Sequence, residues 1–417
     1  MPAPASNLEK PITSEPHSQP SVWRDRLKHW YFVAAIGLLN AALLLLVLNL
    51  VLFLMMRERH PAETPVQEGH FDRGKLQQAY PGWREDDVKA LIRETPRADR
   101  EFEYEPLTGF RERPFRGRFV NIDPAGFRYV KNQAPWPPRP GVLNVFVFGG
   151  STTFGWYLPD DETIPSYLQE LAAQKDASIK VAIYNFARPA YISSQELALF
   201  QKLLRDGYIP QVAIFVDGLN DFILADGEPK FTDQMRRFMN GDINSNPLNN
   251  IPMVRAAHWL TNRWSKPSAS ARPLLASDYS DPVLLQETVE RWLANKKMIE
   301  LTAAGYGVRP IFVWQPIPVY KYDLRYHFFL HSYKDFGGYV RPRYGYPMME
   351  AQRAQGRLGD DVLWLADMQE DKHENLYVDS VHYTAAFSRE IAERIADYLF
   401  PPSAQHEGQP NAATAQH

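Results

Sequence analysis

The chain contains no cysteine, so its stability cannot depend on disulfides on either side of a membrane. It carries no basic run, and a formal net charge of −3 leaves no electrostatic footprint for nucleic acid. No internal repeat is visible, which excludes solenoid and propeller architectures. His327, His331 and His373 stand without a carboxylate or thiolate at ligand spacing, so no metal site is expected, and no cofactor is implied. Long apolar stretches are also missing, with one exception.

That exception is Trp30 to Met56, a run without a charged residue. At about 1.5 Å per residue it is long enough to cross a bilayer as a helix. Arg57-Glu-Arg-His-Pro follows it, not the small residues of a cleavage site, so an uncleaved anchor is expected. Trp30 and Tyr31 occupy the place of an interfacial aromatic belt. Asn40 and Asn49 are its strongly polar residues; nine positions at about 100° each set them on opposite faces, so they define no single dimerisation seam. Arg24, Arg26 and Lys28 precede the run closely, while Arg57 and Arg59 follow it. This excess favours a cytoplasmic N-terminus and an exported, periplasmic or otherwise extracytoplasmic, main domain.

After the anchor, apolar strand runs alternate with helical patterns. Leu143 to Phe148, Val181 to Phe186, Val212 to Val216, Pro310 to Trp314 and Val362 to Leu365 read as buried strands. Helical periodicity appears around Pro165 to Gln174, Ser194 to Arg205, Leu285 to Ala304 and Ala386 to Leu399. Such alternation predicts an α/β fold with a parallel sheet between helices. Ligands of open α/β sheets bind beyond the strands' carboxyl ends, so residues placed there are the first candidates for function.

Three segments stand at such ends. Gly149-Gly-Ser151 follows the first strand and presents a hydroxyl at a sharp turn. A serine needs a base to take its proton and donors to receive the oxyanion it creates. Gly218-Leu-Asn220 follows the third strand and offers a neutral amide donor, and Asp379-Ser-Val-His382 places a carboxylate three residues before an imidazole. In that spacing Asp379 can orient His382 while the other ring nitrogen faces Ser151. Each segment also has a plain structural account, as a turn or a helix cap.

Together, these blocks resemble the SGNH, or GDSL-type, hydrolase superfamily, whose members carry Ser, Gly, Asn and Asp-x-x-His in this order. The resemblance covers roughly Leu143 to Phe400 and implies a flavodoxin-like three-layer parallel sheet behind the single N-terminal transmembrane helix. Two departures stand out: Gly150 replaces the frequent Asp, and Ala187, within Tyr184-Asn-Phe-Ala187, stands where the family's oxyanion Gly is expected. The implied catalytic residues are Ser151, His382 and Asp379, with the Ser151 and Ala187 N–H groups and the Asn220 side chain as the oxyanion hole. Asn121-Ile-Asp-Pro-Ala-Gly-Phe-Arg128 resembles an Asn-x-Asp-x-x-Gly-x-Arg element often found ahead of the Ser block.

The expected organisation is a tail at 1–29, the span at 30–56, a linker and small packed extension at 57–141, the hydrolase-like domain at 142–402 and a disordered tail at 403–417. Insertions near 222–282 and 317–360 interrupt the domain. The second holds Tyr320, Tyr322, Tyr326, His327, Arg341 and Arg343 among others, which suits sugar rings or an anionic polymer as well as it suits packing against the core. The expected activity is that of an anchored esterase removing acyl groups, acetyl above all, from an envelope or extracellular glycan. An O-acetyltransferase, a lipase-like esterase and a non-catalytic binding or assembly protein on the same fold are the alternatives.

Overall fold

A computed structural model describes residues 22–57, 75, 78–95, 102–175, 179–232, 252–254 and 278–401. Residues 1–21 of the expected N-terminal tail, the C-terminal tail, most of the linker and most of the first insertion lie outside the described residues. Residues 1–62 and 244–268 form one unit, and 63–243 and 269–417 form the other.

The described part of the smaller unit is essentially one helix, α1 (Val22–Arg57). It begins before the charge-free run, so the charged turn containing Arg24, Asp25, Arg26 and Lys28 is helical where tail was expected. The segment Trp23–Phe53 is long and apolar enough to cross a membrane, and its most apolar window has no buried residue. Asn49 satisfies its amide locally, with Nδ2 donating to the Leu45 carbonyl at 2.9 Å.

In the larger unit, β5 (Leu143–Gly149), β6 (Val181–Asn185), β7 (Val212–Asp217), β8 (Arg309–Trp314) and β9 (Val362–Trp364) form one parallel sheet in the order β6-β5-β7-β8-β9. These are the five runs expected from the sequence, shifted by at most a residue or two. Their interiors are apolar on both faces because helices cover both: Val145, Phe146, Ile214, Phe215 and Val313 are all essentially inaccessible. On one face α4 (Ile164–Lys175) packs on α9 (Ala385–Leu399), and on the other α5 (Ser193–Arg205) packs on α7 (Pro282–Tyr306). The strand order reverses direction between β5 and β7, and at such a switch point the loops leaving neighbouring strands diverge and open a crevice.

Residues 78–140 are built from short pieces: α2 (Glu85–Glu94), the hairpin β1 (Phe102–Glu105) with β2 (Gly109–Glu112), and the pair β3 (Phe115–Arg116) with β4 (Asn121–Ile122). Val88, Leu91 and Ile92 of α2 bury against Val120, Ile122, Phe154 and Ala187 in a second, smaller core. Within 317–360, α8 (Pro342–Ala354) starts at a proline, as first helical turns tolerate, and buries Tyr346 and Met349. Tyr320, Tyr322 and His327 are buried too, and Arg341 is buried with its guanidinium on the Phe222 and Ile223 carbonyls. Packing thus accounts for much of this segment's aromatic and basic content.

Because Ile214 lies on the strand at the centre of the sheet and is fully buried, Ile214→Ala should cost about 2–5 kcal/mol of unfolding free energy by chemical denaturation. A loss below about 1 kcal/mol would contradict this packing.

Candidate active site

Ser151 opens a one-turn helix, α3 (Ser151–Phe154), immediately after β5. Its N–H therefore lies at a helix start, where no intrahelical acceptor exists. Gly150 caps this turn. A Cβ on residue 150 would collide with the Asn220 amide nitrogen, so a side chain between β5 and Ser151 would have to push the Asn220 amide aside. Thr152 turns the other way, its hydroxyl donating at 2.6 Å to Gln315 beyond β8.

From 231 positions along the chain, His382 reaches the same point, with Nε2 2.8 Å from Ser151 Oγ. Its Nδ1 lies 2.6 Å from Asp379 Oδ2. The other carboxylate oxygen of Asp379 receives the backbone N–H groups of Val381 and His382 at 2.9 and 2.8 Å. Burial alone would push the Asp379 carboxyl up, but His382 and these donors outweigh it and hold the group below its ordinary value. The loop is closed by hydrogen bonds between the Val378 N–H and the His382 carbonyl at 2.8 Å and between the Thr384 N–H and the Leu376 carbonyl at 2.9 Å.

Two further devices hold this arrangement, and neither was foreseen as such. Trp156 lies face-on to the His382 ring at 6.0 Å and Tyr157 edge-on at 6.1 Å, so the loop after α3 walls the imidazole. That loop wraps Arg128, whose guanidinium donates to the carbonyls of Phe154 at 2.9 Å, Gly155 at 2.7 Å and Leu158 at 2.5 Å and to Asp160 Oδ1 at 2.9 Å. Asn121 grips Asp160 from the other side, Nδ2 to Oδ2 at 2.8 Å, while Asp123 caps the turn through Gly126. The Asn-x-Asp-x-x-Gly-x-Arg element is thus the clamp on the loop that flanks His382.

The second device is His327, fully buried against the Tyr377 ring at 5.3 Å. Its Nδ1 accepts the N–H groups of Phe329 and Leu330, each at 3.1 Å, which leaves Nε2 as the protonated nitrogen, 3.4 Å from the Ser380 carbonyl between Asp379 and His382. Burial lowers its pKa to about 4. His327 therefore ties the 317–360 segment, as a neutral ring, to the loop that carries Asp379 and His382.

On the donor side, Asn220 follows β7 in α6 (Leu219–Ile223) and gives one Nδ2 hydrogen to the Tyr191 carbonyl at 2.8 Å. The second hydrogen remains for another acceptor. Below it, Asp221 accepts the Ser193 hydroxyl at 2.6 Å, fixing the turn to α5. Ala187 differs from expectation: its N–H donates to Asn185 Oδ1 at 3.1 Å, so it is committed inside its own loop. Ala190, three residues on, adopts the left-handed conformation with φ 60°, and among the described residues its N–H meets no acceptor. A non-glycine residue held there costs on the order of 1–2 kcal/mol. A glycine at 190 would have advertised the turn in the sequence; an alanine conceals it.

No family model and no curated protein matches this chain. Among solved structures it is similar to a member of the lipolytic protein G-D-S-L family from Veillonella parvula DSM 2008, at 12% identity over 61% of this chain and 96% of that one, with a TM-score of 0.33. It is also similar to the psychrotrophic esterase EstA from Pseudoalteromonas sp., at 11% identity over 62% and 96%, with a TM-score of 0.34. A third likeness is to a catalytic mutant of Axe2, an acetylxylan esterase from Geobacillus stearothermophilus, at 11% identity over 62% and 94%, with a TM-score of 0.33. Likenesses of this degree carry no argument about chemistry, which rests on the geometry above.

His327 supplies a pH test. Above about pH 6.5 the ring is neutral folded or unfolded; as pH falls towards about 4, the unfolded chain takes up a proton that the folded chain refuses. The stability advantage of the parent over His327→Gln should therefore shrink through that window in denaturation series. A difference independent of pH would contradict the neutral-ring assignment.

Proposed function

We propose that this chain is a membrane-anchored serine esterase that removes acyl groups, acetyl in the first instance, from an envelope or extracellular glycan. The observation that carries the reading is the continuous contact from Ser151 Oγ through His382 to Asp379, at 2.8 and 2.6 Å. A hydroxyl that close to an imidazole, whose far nitrogen faces a buried carboxylate, has the means to become a nucleophile at neutral pH.

In the proposed reaction His382 Nε2 takes the proton of Ser151 as Oγ attacks the ester carbonyl carbon. The carbonyl oxygen becomes an oxyanion facing the Ser151 N–H, the Ala190 N–H and the free hydrogen of Asn220 Nδ2; Ala190 takes the role expected for Ala187 because its N–H is uncommitted. Collapse of this intermediate breaks the bond to the sugar oxygen, which leaves with the proton from His382. Water then attacks the acyl-serine, gives its proton to His382, and the acid departs as Ser151 is re-protonated. Asp379 keeps His382 in the tautomer this cycle needs and stabilises the imidazolium formed in each half.

The anchoring part of the proposal rests on α1, and the exported orientation on Arg24, Arg26 and Lys28 at its start. The glycan rests on that location and on aromatic side chains such as Tyr339 and Tyr344 that stay exposed in the 317–360 segment.

The test is turnover of a short-chain nitrophenyl ester and of an acetylated oligosaccharide. Ser151→Ala should lower kcat by several powers of ten while changing stability by less than about 1 kcal/mol. Asn220→Ala should cost about a hundred- to a thousand-fold in kcat with KM nearly unchanged, whereas Ala187→Gly should stay within a few-fold of the parent. Full activity in Ser151→Ala would refute the reading.

A further inference from the structure

The turn that carries Ala190 is held from outside the sheet. Its anchor is Arg188, whose side chain is 1% exposed. Nη1 of Arg188 donates to Glu105 Oε2 at 2.5 Å, to the Tyr191 hydroxyl at 2.7 Å and to the Phe110 carbonyl at 3.3 Å. The Tyr191 hydroxyl in turn donates to the same Phe110 carbonyl, and the Phe110 ring meets Tyr191 edge-on at 5.3 Å. Glu105 is steadied by the Thr108 hydroxyl at 2.6 Å, and the Thr108 carbonyl receives Gln195 Nε2 at 2.7 Å. Every one of these partners except Tyr191 and Gln195 belongs to the β1–β2 hairpin. Burial would raise the Glu105 carboxyl, yet the Arg188 guanidinium beside it holds it below the ordinary range, so the pair is charged.

At its other end the same residue touches the reaction centre through its backbone. The Arg188 N–H donates to the Gly149 carbonyl at 2.9 Å, two residues before Ser151, and the Arg188 carbonyl receives the Tyr191 N–H at 3.2 Å. The Tyr191 carbonyl then receives Asn220 Nδ2 at 2.8 Å. The strained Ala190 is therefore spanned by a four-residue turn fixed at the end of β5, at Asn220 and at the hairpin.

We propose that Arg188 is a positioning residue for the oxyanion hole, and that the β1–β2 hairpin is a working part of the centre. Glu105 holds the guanidinium, the guanidinium and Tyr191 hold the turn, and the turn aims the Ala190 N–H and the Asn220 amide at the oxygen that becomes charged. This rests on the serine-esterase reading above. It differs from a merely structural staple in where the cost of breaking it falls. A staple lowers stability; a positioning residue lowers kcat in the protein that remains folded, because donors misplaced by even about 1 Å lose hold of the transition state.

The experiment is a set of kinetic cycles on the full chain with a short-chain nitrophenyl acetate as probe. Arg188→Met, Arg188→Lys and Glu105→Gln are each made alone and together with Asn220→Ala, with Ser151→Ala as the blank. Arg188→Met should lower kcat by about ten- to a hundred-fold with KM within about two-fold, and Arg188→Lys, which keeps the charge but not the fork, should recover part of that. In the Asn220→Ala background the same change should cost less than about three-fold more, since both act through one set of donors. Parent-like kcat in folded Arg188→Met, or equal losses in both backgrounds, would overturn the inference. Should Arg188→Met fail to fold, Glu105→Gln carries the same cycle with the same expectations. A parent without Ser151-dependent turnover refutes the esterase reading and this inference with it, whereas an active parent with multiplicative losses overturns the positioning role alone.

Discussion

The contact between Ser151 and His382 joins positions 231 residues apart, and the surrounding structure is organised to keep it. Neither side chain is near the other in sequence, so their meeting depends on the sheet bringing the end of β5 and the loop before α9 to one crevice. Apolar burial supplies the sheet but cannot place a hydroxyl to within a few tenths of an ångström. That placement falls to hydrogen-bonded polar groups buried around the crevice, since an unpaired one there costs on the order of 1–3 kcal/mol; among the described residues, Thr153 Oγ1 and Arg188 Nε stay unpartnered.

Two buried arginines show the division of labour. Arg128 gathers three carbonyls and Asp160, and so sets the loop bearing Trp156 and Tyr157 against His382. Arg188 joins the turn after β6 to the β1–β2 hairpin. A guanidinium suits both places because its planar fork of donors can satisfy several fixed acceptors at once, which a lysine cannot. Both of these cations are paired with a carboxylate, Asp160 and Glu105 respectively, so the interior carries the charges as neutral pairs. The segment ahead of the sheet, besides lending Phe110, Phe127 and Val130 to the main apolar core, thus supplies polar groups that fix the loops beside Ser151 and His382.

The parallel strands were legible because strands covered on both faces read as unbroken apolar runs, and the four helices packed on them because their apolar positions recur at helical spacing. The small strands β1 to β4 were not, since two- to four-residue pieces with mixed burial leave no period to detect. Helix α8 was hidden by Pro342 at its start and Pro347 within it, each of which reads locally as a break. Ser151, Asn220, Asp379 and His382 stood out as candidates in the sequence because their chemistry and block order are explicit, and the structure brings Ser151, His382 and Asp379 into contact. The Ala190 turn could not, since alanine carries no mark of a left-handed backbone. Nor could the parts of His327 and Arg188, whose partners lie 53 and 83 positions away.

Ser151 is proposed as a nucleophile facing a formed oxyanion hole. Reaction of the full chain with an alkyl fluorophosphonate, followed by peptide mass spectrometry and a crystal structure of the adduct, tests it most directly. One phosphonyl group per chain is expected, on Ser151 Oγ, with its free oxygen within about 3 Å of the Ser151 N–H, the Ala190 N–H and Asn220 Nδ2. Labelling at another residue, no labelling of the folded protein, or a phosphonyl oxygen turned away from these donors would contradict it.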